Sequence, residues 1–538
     1  MKKNSIINTQ KFLLAAFSFS LLFASCTKDF ENINNDPNNP KNVPNSFYLA
    51  GAQRGIMDNT VDIWWGGNVG NQLAQYWSSN QYTSESRYNF RIEVTTTSWR
   101  NFYTGGTNDE DVIVGGLFEL KKIVDNCTNE PGLSSASGDV HNQIAVATLL
   151  RVWLVQNMTD AWGDIPYSQA LDPDHNRAPK YDRQADIYYT GSTNLLKEVS
   201  EALNNINTSA AGPVGDLVYG GDMTKWAKFG NALKMRIALR MVDRDENVAK
   251  TAFLDAVAAG TYTSNDDNAL LHYGTSATSS NPVYNNYAVQ GRDDYASSNV
   301  MMAVLDTGAG HSLFDPRLPC FFAPAEDTTN GVWVGEVYGL SEANGAATAN
   351  SIISQRSPLI LSATLPGIYM DYAQVEFMMA EASARGWAVS GTAEDHYKAG
   401  IQSSIEFWTA LYVPFAPTGY APPTQAEIDA YIAQDSVDYN LQLAAAPPSV
   451  GADKWKYPIG KQKWIALYNQ GIQGWAEWRR LDFGILQLPA DGVIDGTGIP
   501  FRMKYDVNEQ TLNSGNYNAA LGDQGPDLQD TRLWWDVH

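Results

Sequence analysis

Apolar residues recur along most of this chain with the spacing of helices that bury one face. Val146, Leu149, Leu150, Trp153 and Leu154 fall at i, i+3, i+4, i+7 and i+8, and Ala145 and Val152 widen the stripe. Leu195, Val199, Ala202, Leu203 and Ile206 repeat the pattern, as do Trp464, Leu467, Tyr468, Gly471, Trp475 and Trp478. The same period predicts helices near 225–243, 247–258, 369–387 and 393–411. Thr424 and Glu427 form a capping box that opens another after Pro422 and Pro423. Helices that come in neighbouring pairs predict a mainly α fold of tetratricopeptide-like hairpins, each burying its apolar face on the next. Long polar connections at 60–110, 260–300, 322–360 and 412–450 interrupt the pairs. They are rich in Gly, Asn, Ser, Thr and aromatic residues and have room for short strands. Irregular segments of that length usually carry function.

The N-terminus has a different pattern. Lys2, Lys3 and Lys11 precede an apolar stretch from Phe12 to Phe23, which is shorter than the ~20 residues of a membrane-spanning helix. Ala24 and Ser25 then lead to Cys26, an arrangement that resembles a bacterial lipobox, although Phe23 stands where Leu is commonest. Residues 1–25 are therefore expected to be a lipoprotein signal peptide, with Cys26 the lipid attachment site. Thr27-Lys28-Asp29-Phe30-Glu31 resembles the acidic export signal of Bacteroidetes surface lipoproteins. Residues 26–45 read as a tether rich in Asn and Pro, and 46–538 as a single helical domain. No other segment is long and apolar enough to span a bilayer.

Composition narrows the function classes. The 538 residues carry 37 basic and 59 acidic side chains, a formal net charge of −22, which disfavours nucleic acid as a partner. Three cysteines and six histidines give little material for a disulfide scaffold or multi-histidine metal chemistry; whether Cys127 and Cys320 pair stays open. Gly310-His311-Ser312-Leu313-Phe314 begins like a nucleophile elbow but lacks its closing glycine. Asp172, Asp174 and Asn176 have the spacing that opens a calcium loop. Arg177 and Arg183, however, occupy its glycine and bidentate glutamate positions, so a solvated acidic turn is expected. No catalytic residue, cofactor or metal is assigned. The 62 aromatic rings, 12% of the chain, fit a binding protein instead.

Several blocks, in order along the chain, resemble one family. Asp160-Ala161-Trp162-Gly163-Asp164-Ile165-Pro166-Tyr167, Lys225-Trp226 through Arg236, Asp315-Pro316-Arg317-Leu318, Tyr372 through Ala382, Gln473 through Arg480, and Arg532-Leu533-Trp534-Trp535-Asp536 are similar to the signature segments of the SusD/RagB outer-membrane lipoproteins. Asn35-Asp36-Pro37-Asn38 in the tether fits too. The resemblance implies a helical scaffold with irregular loops carrying the ligand site. It also implies an outer-membrane, exterior-facing lipoprotein that hands nutrient, a glycan or in some branches a peptide, to a SusC-like TonB-dependent barrel. A surface glycan-cleaving enzyme and a structural or adhesion lipoprotein are the alternatives. Trp162, Pro166, Trp226, Trp475 and Trp478 are expected to pack hairpins, with Asp164 and Arg236 capping or bridging them.

The resemblance places the ligand groove in loops of the first third and the middle of the chain. Two segments there interleave rings with amides and guanidinium groups. One runs from Trp77 to Tyr88, preceded by Trp64 and Trp65, and offers Trp77, Tyr82, Arg87 and Tyr88. The other offers Asn285, Tyr287, Arg292 and Tyr295.

Overall fold

In the computed structural model, which describes residues 43–107, 112–113, 115–172, 174–306 and 314–537, the first helix begins at Asn45. The expected signal peptide, Cys26, nearly all of the expected tether and Gly310 to Leu313 lie outside these residues. The longer helices of the first half are α1 (Asn45–Val61), α2 (Ile92–Thr104), α3 (Leu117–Asn129), α4 (Val140–Trp162), α5 (Leu195–Asn205), α6 (Met223–Arg240) and α7 (Glu246–Ala259). Those of the second half are α8 (Tyr372–Ala384), α9 (Ala393–Tyr412), α10 (Lys456–Ala466), α11 (Gly471–Leu481) and α12 (Ser514–Gln524).

Side-chain caps start α4 to α9. Asp139 accepts from the N–H groups of His141 and Asn142 at 3.0 and 3.1 Å. Asn194, Asp222, Asp245 and Asp371 cap α5 to α8 in the same way, and Thr392 opens α9 with a capping box. Each cap satisfies an otherwise orphaned donor and contributes about 1 kcal/mol. The Thr424–Glu427 box forms as its spacing predicts and opens the short helix Gln425–Ile432.

Four consecutive pairs, α4–α5, α6–α7, α8–α9 and α10–α11, pack as hairpins. Successive pairs then stack, α5 on α6 and α10 on both α8 and α9, while α11 also meets α4. The scaffold is the expected mainly helical, tetratricopeptide-like array. One expectation fails in detail. The apolar stripe from Trp464 to Trp478 reads as a single helix, but a turn at Leu467–Gln470, with Asn469 at φ 63°, splits it into α10 and α11. The turn lets Gly471 lie directly on Gly70, where a Cβ would come within 2.1 Å of the Gly70 carbonyl carbon.

Where the hairpins converge, the core is charged. Arg240 pairs with Asp160 and with Glu477, each at 3.1 Å, and Arg480 grips Glu381 through two 2.6 Å bonds while also reaching Glu477. Lys463 completes the set at 3.1 Å from Glu477. These six buried side chains come from α4, α6, α8, α10 and α11, so the network ties the hairpins to one another. Burial alone would raise Glu381, yet Arg480 and Arg385 hold it down at about 2.

The resembling blocks prove largely structural. Trp162 is fully buried and stacks on Trp65 at 4.6 Å, and Trp226 donates to Asp216 at 2.8 Å. Asp164 accepts from the Gln184 N–H at 2.8 Å, and Arg236 bridges to Gln156 at 2.9 Å. Arg317 forms a buried fork on Asp315, with Ser404 and Gln462 as further partners. Cys127 and Cys320 are both free and buried. His175 closes the Asp172 turn at 2.9 Å.

Short antiparallel pairs join the long connections. β1 (Trp77–Ser79) pairs with β3 (Tyr295–Ser297), and β2 (Ala269–Leu271) with β4 (Gly367–Met370). β4 and its turn occupy the start of the predicted 369–387 helix, so α8 begins at Tyr372. Among the described residues, no helix is long and apolar enough to cross a membrane.

Candidate functional site

The two aromatic segments are brought together by pairing residues more than 200 positions apart. Trp77 lies opposite Ser297, Ser78 opposite Ala296 and Ser79 opposite Tyr295. Beside this ladder runs a π-helical segment, Ile63–Asn71. Buried Asp62 caps it, accepting from the Trp65 N–H at 2.7 Å, and burial pushes the Asp62 carboxyl up to about 7. Gly66 permits the tight start, since a Cβ there would meet the Thr60 carbonyl at 2.7 Å. The wider π turn sets Ile63, Trp64 and Asn68 towards the neighbouring loop.

Between the π segment and the two loops is a cavity of about 200 Å³. Trp64, Tyr82 and Tyr295 provide rings, with Arg91, Asn286 and Arg292 among the polar groups. Arg292 lies 4.8 Å from the Tyr82 ring centre and donates to Asp294 at 2.9 and 2.8 Å. That bond raises the Arg292 pKa further. Arg91 covers Trp64 at 5.1 Å and pairs with buried Glu85 at 2.5 Å. Tyr295 donates to Asn68. Asn286 Oδ1 has no hydrogen-bond partner among the described residues. Each ring thus has a cation over it, Arg91 on Trp64, Arg292 on Tyr82 and Arg356 on Tyr295, and amide and guanidinium groups line the same space. Such a surface can stack a flat apolar face and bond the hydroxyls around it.

Of the residues expected from sequence, Tyr82, Arg292 and Tyr295 line this cavity. The others do not. Trp77 is 0% exposed and donates to Tyr468 at 2.9 Å, with buried Arg356 over its ring. Tyr88, also 0% exposed and at φ 67°, accepts from Gln75 at 3.0 Å. Arg87 turns away to the carbonyls of Gly492 and Asp491 at 2.9 and 2.7 Å. Asn285 accepts from Ser280 at 2.8 Å and closes its own turn. Tyr287 is exposed beside the site, 5.9 Å from Arg356. Among the unassigned lining residues, Trp64 and Asn68 share an i, i+4 face that their glycine-rich surroundings hide. Nothing local marks Arg91 or Asn286.

Among the described residues, no group of three or more His, Cys, Asp or Glu is placed to hold a metal ion. The sole carboxylate lining the cavity, Asp294, is tied to Arg292.

A family model described as SusD-like, "Starch-binding associating with outer membrane", matches residues 37–506, and the chain belongs to that family. A solved chitin-binding protein is 27% identical, with 92% of this chain and 100% of that one covered at a TM-score of 0.72. A SusD homologue from Bacteroides uniformis is 25% identical, with 91% and 100% covered at 0.69. A chitin-binding SusD homologue from Flavobacterium johnsoniae, 22% identical with 92% and 99% covered at 0.70, shares the fold. Comparison with curated proteins gives no match.

Proposed function

We propose that this protein captures a glycan at the cell surface in the cavity between the π segment and the two loops, and passes it to a SusC-like TonB-dependent outer-membrane barrel. Cys26 carries the lipid that anchors it. The observation that carries this reading is the convergence of Trp64, Tyr82 and Tyr295 with Arg91, Asn286 and Arg292 around one small cavity. At about 200 Å³ it seats part of an oligosaccharide and leaves the remainder outside, against Tyr287 and the loop rims. A glycosidase places two carboxylates across the scissile bond, whereas the one lining this cavity, Asp294, is paired with Arg292, which supports a binding role. The family description and the chitin-binding relatives support a glycan before a peptide.

Calorimetry with chitin and starch oligosaccharides tests the reading, alongside an assay for new reducing ends. Binding without product is expected, and Trp64→Ala should weaken it severalfold or more. Product formation, or unimpaired binding by that variant, refutes the assignment. Co-purification with a large β-barrel tests the transport role.

A further inference from the structure

A larger cleft, about 950 Å³, opens elsewhere and shares no lining residue with the cavity above. Its floor is the C-terminal segment, and the cause is an alternation within Leu533-Trp534-Trp535. Trp535 is 1% exposed, lying against the guanidinium groups of Arg240 and Arg479 at 5.4 and 4.9 Å, and Leu533 is likewise buried. These two residues fix the segment in the core. Trp534 between them is held to the cleft and stays partly uncovered, although Tyr188 and Tyr189 stand at 5.9 and 6.1 Å. Arg244 lies over the same ring at 5.9 Å and donates to the Trp534 carbonyl. The ring is therefore a preoriented platform.

The groups around it are charged but balanced. Arg183 bonds Asp523 at 2.7 Å, and Arg532 bonds Asp536 at 2.8 Å. With Arg244 and Asp164, the lining holds three guanidinium groups against three carboxylates. Such a cleft has little net attraction for phosphate, polyanion or amine, and its charged walls disfavour an apolar ligand. Planar donors and acceptors around one accessible indole suit a neutral, hydroxyl-rich ligand.

The geometry points to a second carbohydrate-binding cleft, built on Trp534 with the pairs Arg183–Asp523 and Arg532–Asp536, that takes a neutral oligosaccharide segment. This inference rests on the glycan-capture reading, and it adds a contact that holds another part of the chain, or another chain. Two weak contacts on one polymer raise avidity without new chemistry at either.

The test uses the mature protein, with chitohexaose and maltoheptaose as probes, in calorimetry. Tyr82→Ala combined with Arg292→Ala disables the first cavity. The expected result is residual one-to-one binding, weakened about tenfold or more by adding Trp534→Ala. Arg183→Ala, at a mostly exposed side chain, should weaken it in a protein of unchanged melting temperature. Loss of all binding in the first-cavity variant overturns the second cleft and leaves glycan capture standing. Residual binding untouched by both cleft variants also overturns it. Binding insensitive to the first-cavity changes but lost with the cleft variants supports the cleft and refutes the first placement. A wild-type protein that binds neither probe overturns both.

Discussion

Replacing Tyr82 or Trp77 by Ala should separate ligand contact from scaffold, because adjacent stretches of one loop place the two rings oppositely. Tyr82 is 50% exposed, and its described ring contact is with Arg292 at 4.8 Å. An exposed cation–π contact contributes about 0.5–1 kcal/mol, so Tyr82→Ala should hardly shift melting. A stacked ring at a desolvated contact, in contrast, costs about 2 kcal/mol on truncation, roughly thirtyfold in affinity. Trp77 is fully buried, bonds Tyr468, and lies against Arg356 and, at 5.7 Å, Tyr295. Its removal leaves a cavity and an unpaired hydroxyl, costing about 3–5 kcal/mol, and should weaken binding only by loosening the β1–β3 ladder. Calorimetric affinity and thermal melting, measured on both variants, decide the matter. If Trp77→Ala melts normally while binding is lost, or Tyr82→Ala binds normally, the division of the loop argued here is refuted.

Glu381, held at about 2 by Arg480 and Arg385 against the opposing effect of burial, favours the fold above the ordinary carboxylate range. That stability, roughly 3 kcal/mol, is lost as pH falls from about 4.5 towards 2. Glu381→Gln should flatten the acid limb of urea titrations and lower stability at pH 7. Glu336 has the opposite sign. It is buried, both its oxygens lack hydrogen-bond partners among the described residues, and burial raises it to about 8. Its contribution is complete below about pH 4.5 and is lost as pH rises to 8, so Glu336→Gln should stabilise the protein by roughly 4 kcal/mol at pH 8 and little at pH 4. Cys26→Ala should move the protein from washed membranes to the soluble fraction, read by immunoblot; retention in a strain lacking the partner barrel counts against lipid anchoring.

Helical period and caps determine the hairpins, since both are local. Val146 to Leu154 and Thr424 with Glu427 can be read without any partner. Elsewhere tertiary packing overrides local preference. α2, with Ile92, Val94 and Thr95 to Thr97 in its first half, is a poor helix by propensity and forms where Trp99 and Phe102 enter the core. The glycine-rich π segment and the turn that splits α10 from α11 depend on the contact of Gly70 with Gly471, across 400 residues. The candidate site follows the same division. Sequence selected the two loops, because rings alternating with amides and guanidinium groups are visible in the chain. Which rings line the candidate cavity and which enter the core was decided by tertiary packing, because a ring's exposure depends on the surface laid against it: Tyr468 and Arg356 cover Trp77, and Gln75 and Tyr338 lie against Tyr88, all from distant elements or another turn.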